Sequence, residues 1–133
     1  MIVNETRKEL AHVLLGAADA LRAGANATEF SRLLYSPDLL VVGEGWPRAI
    51  RGVEAFLPDL QALIEGWGPN ADLTFAIVDP IIDGGEVATT CVDVGVAPKK
   101  PGAAPEHYRC MYTWKRTSLG WRVAAEMYTV GSY

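Results

Sequence analysis

The 133 residues are 50% hydrophobic and 21% charged, the composition of a single globular domain (1–133) that can bury a core without disulfides or a metal. No apolar run is long enough to cross a membrane, and a net charge of −4 argues against nucleic acid as the main partner. The charged start MIVNETRKELAH lacks the apolar centre of a secretory signal, so a cytoplasmic protein with reduced Cys91 and Cys110 is expected.

In chain order the pattern is helical first and extended later. Leu10, Val13, Leu14, Ala17 and Leu21 recur at helical spacing, and Gly24 is placed to end that helix. NATEFSRLLY predicts a shorter helix, with Asn26 as cap, Glu29 in the reciprocal position and Pro37 as the stop. LLVV at 39–42 reads as a short buried strand and RAIRG as a second extended piece ending at Gly52. VEAFLPDLQALIEGWG returns to helical spacing through Phe56, Leu60, Leu63, Ile64 and Trp67, with a loose first turn or a fresh start expected at Pro58. Strands are predicted thereafter, over Leu73–Ile81, over Glu86–Val96 and through a closing hairpin. Carboxylates dominate between Asp38 and Asp93, and basic residues between Lys99 and Arg122, so the two regions are expected to lie side by side and neutralise one another.

The hairpin YTWKRTSLGWRVAAEMY fixes its own faces if Thr117–Gly120 is the turn. Arg116 then pairs with Trp121, Trp114 with Val123, Tyr112 with Ala125 and Cys110 with Met127, and alternation sends the last six of these side chains inward. Arg109, Met111, Thr113, Lys115, Arg122, Ala124 and Glu126 fall on the other face, with Met111 opposite Glu126 and Thr113 opposite Ala124. Small central residues ringed by charge predict a two-fold homodimer through that outer sheet face.

ALRAG, LLYSPDLLVV, IRGVEAF, GGEVATT and YTWKRTSLGWRV, in this order and spacing, resemble the nuclear transport factor 2-like superfamily, which includes ketosteroid isomerases and SnoaL-type cyclases. The resemblance implies an α+β fold: a cone-shaped barrel of curved antiparallel sheet wrapped around N-terminal helices, a cystatin-like α+β roll whose open end forms a pocket. It also implies a homodimer. The catalytic positions do not carry over. The ketosteroid isomerase base falls on Gly43, with Glu44 one residue later and turned to the opposite face. The first-helix tyrosine is replaced by Ala17, and the protonated aspartate falls near Cys110 or Met111. SnoaL-type cyclases place an acid near the C-terminus, and no carboxylate side chain follows Glu126. Neither inherited mechanism is supported.

Alignment to the family turns Val87, Thr89, Cys91 and Asp93 inward and sets Cys91 opposite Cys110, which brings Asp93 beside Tyr108 at the pocket mouth. An inward Asp93 needs a donor such as the Tyr108 hydroxyl, and that pair is the candidate acid/base. An outward, solvated Asp93 is the plainer reading. Tyr35, Gly43, Trp46, Cys91, Cys110, Tyr112, Ala125 and Met127 are the candidate ligand-binding residues. Trp46, between Gly45 and Pro47, can line the pocket, lid it or plug the barrel end. His12 and His107 lie too far apart for a metal site, and no cofactor is expected. Two functional readings follow. One is a binder of a small hydrophobic molecule, with isomerase- or cyclase-type chemistry on a carbonyl compound. The alternative is a non-catalytic dimerisation or accessory module with a residual pocket.

Overall fold

The computed structural model describes residues 2–133. Helix α1 (Ile2–Arg22) buries Leu10, Leu14, Ala17, Ala18 and Leu21 along one stripe. It ends as the sequence predicts: Gly24 takes a φ of 100°, so that the Gly24 and Ala25 N–H groups reach back to the Leu21 and Ala20 carbonyls. Helix α2 (Ala27–Leu34) opens on a full capping box, in which Asn26 Oδ1 accepts from Glu29 N and Glu29 Oε1 accepts from Asn26 N. It stops three residues short of Pro37, because Tyr35 is already extended, and Pro37 lies inside strand β1 (Tyr35–Gly43).

The two-residue strand β2 (Ile50–Arg51) leads through Gly52 into α3 (Val53–Trp67). No fresh start occurs at Pro58. The helix runs through it, and burial of Phe56, Leu60, Ile64 and Trp67 outweighs the one backbone bond that proline forgoes. Strands β3 (Asp72–Asp83), β4 (Val87–Ala97), β5 (Glu106–Thr117) and β6 (Gly120–Val130) complete one sheet in the order β2-β1-β6-β5-β4-β3. The sheet is mixed rather than wholly antiparallel, because β1 runs parallel to β6.

The hairpin pairs as expected next to its turn: Thr117 with Gly120, Arg116 with Trp121, and Trp114 with Val123. Beyond that point the register slips. Thr113 pairs with Ala125, Tyr112 with Glu126, Met111 with Met127 and Cys110 with Tyr128, which leaves Ala124 as the extra residue of a β-bulge. A one-residue slip exchanges the faces of everything after it. Glu126 and Tyr128 therefore turn inward, and Ala125 and Met127, expected inside, share the outer face with Thr113 and Met111.

Strand β4 also reverses the expected parity. Ala88, Thr90, Val92, Val94 and Val96 are the buried set, and Val92 rather than Cys91 faces Cys110. Cys91 pairs with Met111 and Asp93 with Arg109, on the outer face. Against the inner face lies Trp114, fully buried, its indole N–H donating to Thr90 Oγ1 at 2.9 Å. The acidic and basic regions do meet: Lys115 bridges to Asp38 at 2.7 Å and Lys99 to Asp72 at 2.9 Å. No helix among the described residues is long and apolar enough to cross a membrane.

Candidate functional site

Between α2, α3 and the inner face of β3–β6 lies a cavity of about 60 Å³. Its floor is Phe30, Leu34 and Tyr35, from the end of α2 and the start of β1. One wall is the apolar stripe of α3, namely Phe56, Leu60, Leu63 and Trp67. The opposite wall comes from the sheet and carries the polar atoms: Tyr108, Cys110 and Tyr112 on β5, Glu126 and Tyr128 on β6. Leu63, Trp67 and Tyr128 also line a second, more open space of about 350 Å³ that continues to the surface past Trp46, Asp59 and Glu106. The two make an inner chamber and a vestibule.

Glu126 is the one charged side chain of the inner chamber. The Ala124 bulge aims it there, and Tyr35 donates its hydroxyl to Glu126 Oε1 at 3.0 Å. Oε2 accepts no hydrogen bond from any described residue. No fully buried side-chain polar atom among them is orphaned, so Oε2 remains open to the chamber. Burial lifts the carboxyl from its usual 4.5 to about 7, and the Tyr35 hydrogen bond opposes that rise only in part.

The neighbouring groups titrate well away from neutrality. Burial, followed by the nearby Glu126 charge, raises the Tyr35 and Tyr112 hydroxyls well above their ordinary value. Burial pushes the Cys110 thiol up to about 12, so it stays protonated and is no nucleophile. Burial and then the Glu106 acceptor raise Tyr108. The chamber thus holds one group poised to exchange a proton near neutral pH, surrounded by phenols that remain donors.

Aromatic edges run from mouth to floor without a break. Ring centroids lie 5.5 Å apart for Tyr108–Tyr128, 5.7 Å for Tyr128–Trp46, 6.3 Å for Trp46–Phe56 and 5.8 Å for Phe56–Tyr35. Gly43 is what lets Trp46 lie there: a Cβ at residue 43 would come within 2.5 Å of the Trp46 ring and 2.7 Å of Tyr128. Glu44 is exposed and lines neither space.

Of the residues singled out from sequence, Tyr35, Tyr108, Cys110 and Tyr112 line the chamber and Trp46 the vestibule. Asp93 does not join Tyr108. They occupy opposite faces of the sheet, and Asp93 accepts the Tyr133 backbone N–H at 3.2 Å. With its carboxylate turned away, the expected Asp93–Tyr108 acid/base pair is lost. Cys91, Ala125 and Met127 likewise lie on the outer face. Sequence reasoning missed Glu126, by one residue of phase. The signal available was the pair of small residues Ala124–Ala125 in an otherwise bulky strand. No group of three or more His, Cys, Asp or Glu among the described residues could hold a metal ion.

Helix, short helix, strand, third helix and then a long-stranded sheet closing over them define the α+β fold called nuclear transport factor 2-like or cystatin-like. A nuclear transport factor 2-like protein with a cystatin-like fold from Novosphingobium aromaticivorans is 19% identical, with a TM-score of 0.69 over 95% of this chain and 82% of that one. A ketosteroid isomerase-like protein from Erwinia carotovora atroseptica is 16% identical, with a TM-score of 0.68 over 95% and 96%. A proposed dehydratase of the same fold from Streptomyces avermitilis is 13% identical, with a TM-score of 0.74 over 98% and 99%. No family model and no curated relative matches the sequence, so the likeness is one of fold.

Proposed function

We propose that the protein binds a small hydrophobic carbonyl compound and moves a proton on it, with Glu126 as the acid/base. The observation that carries this reading is the Glu126 carboxyl: held by Tyr35 on one oxygen, open to an aromatic chamber on the other, and raised to about 7. As the carboxylate it takes a proton from the carbon next to a carbonyl: a C–H bond breaks, an O–H bond forms, and the electron pair moves onto the carbonyl oxygen. Returning the proton elsewhere gives an isomer, and expelling a β-hydroxyl as water gives dehydration. Neither needs a redox partner. Tyr112 and Tyr128 stay protonated and so supply donors for the developing oxyanion. Kinship of fold with a ketosteroid isomerase-like protein and a proposed dehydratase is consistent with this reaction class.

The test is deuterium uptake from heavy water into a panel of small cyclic and aryl ketones, followed by proton NMR. Exchange above the buffer rate should rise through an apparent pKa near 7, vanish in Glu126→Gln and persist in Asp93→Asn. Exchange that survives Glu126→Gln, or none with any ketone, overturns the assignment and favours an accessory module with a residual pocket.

A further inference from the structure

The vestibule is built differently from the chamber behind it. Its walls present the indole of Trp46, the indole of Trp67 and the ring of Tyr128, and its polar rim is two carboxylates, Asp59 and Glu106. Both acids are exposed, and they stand on opposite sides, Asp59 on α3 and Glu106 at the start of β5. Glu106 also holds the Tyr108 hydroxyl. No lysine, arginine or histidine lines either space. Of the basic side chains that follow α3, Lys99 is held by Asp72 at 2.9 Å.

An electron-rich aromatic wall faced by carboxylates, without a compensating cation, attracts a positive group twice over. The ring faces attract it through their quadrupoles, and the carboxylates by Coulomb's law in a recess where field lines concentrate. The same arrangement repels an anion. Leu63, Trp67 and Tyr128 line both vestibule and chamber, so the two spaces adjoin.

We infer that the natural ligand carries a cationic nitrogen, an amine or quaternary ammonium group, which sits in the vestibule between Asp59, Glu106 and the Trp46–Trp67–Tyr128 rings while its carbonyl end reaches Glu126. This rests on the proposed ligand path through the chamber, and it adds a charge requirement that the Glu126 chemistry does not need. It gives the two carboxylates of the rim a role in selection, apart from the proton transfer at the floor.

The probes are benzyltrimethylammonium, neutral benzyl alcohol and anionic phenylacetate, titrated by NMR into the wild-type protein at low salt. Benzyltrimethylammonium should bind about tenfold more tightly than benzyl alcohol, and phenylacetate more weakly than either. Asp59→Asn combined with Glu106→Gln should remove that preference and leave benzyl alcohol binding unchanged; both residues are exposed, so the fold is not at stake. Glu126→Gln should keep the preference. Equal binding of cation and alcohol, or a preference that follows Glu126 rather than the rim pair, overturns the inference while leaving the proton-transfer reading intact. Absence of binding by all three probes overturns both.

Discussion

Replacing Glu126 by Gln should stabilise the protein, and only above mildly acidic pH. The native carboxyl titrates near 7 because burial disfavours its charge, whereas the unfolded chain releases that proton near 4.5. Below pH 4.5 both states hold the proton and the group contributes nothing against folding. As pH rises from 4.5 towards 7 the unfolded state ionises freely and the native state resists, so stability is lost, and above 7 the loss is complete. At about 1.4 kcal/mol for each tenfold change in proton affinity, the rise from 4.5 to about 7 amounts to about 3 kcal/mol. Glutamine never ionises, and its carbonyl oxygen can still accept the Tyr35 hydroxyl. Urea denaturation at pH 5 and pH 8 should therefore give the two proteins stabilities within about 1 kcal/mol of each other at the lower pH. At the higher pH the variant should gain about 3 kcal/mol. A variant less stable than wild type at pH 8, or a difference that does not change with pH, would refute the claim that this carboxyl is buried at a cost.

Trp114→Ala removes a fully buried indole and strands the Thr90 hydroxyl it satisfies, and should cost about 3–5 kcal/mol in the same denaturation experiment. Gly43→Ala puts a methyl where the Trp46 ring lies 2.5 Å away, so Trp46 should swing outward. The emission should shift to the red, and no shift should appear when the change is made in a Trp46→Phe background. The outer sheet face, where exposed Met111 pairs with exposed Met127 and Thr113 with Ala125, is proposed as a two-fold interface burying more than about 1,000 Å². Light scattering should give a dimer for the wild type and a monomer for Met127→Lys, and a monomeric wild type at micromolar concentration would dismiss it.

The sequence was informative wherever short-range physics decides. The Asn26–Glu29 capping box, the Gly24 helix end and the hairpin register from Thr117 back to Trp114 all come from residues within a few positions of each other. Phase along a strand is another matter. Every residue past Ala124 changes face because of one unpaired residue, and an alanine bulge lacks the positive-φ glycine that marks some bulges in sequence. Strand β4 was legible in principle. Val92, Val94 and Val96 alternate with Asp93 and Gly95, so hydrophobic period alone gives the observed faces, and aligning to a remote family obscured it. Pro58 misled for a different reason: packing along a whole helix face decided against a local preference.

The bulge also bears on how such a domain can change over generations. Deletion of Ala124 would leave Ala125 opposite Thr113 and Glu126 opposite Tyr112, so the chamber would keep its acid; a bulge that straightened with Ala124 retained would instead rotate Glu126 and Tyr128 to the outer side of the sheet and bring Ala125 and Met127 in. In the straightened register the acidic chamber would become an apolar one, and re-forming the bulge would restore it. A reactive group can therefore be presented or withdrawn by strand register alone, and an alignment that sets no gap at Ala124 against an unbulged last strand equates positions on opposite sides of the sheet.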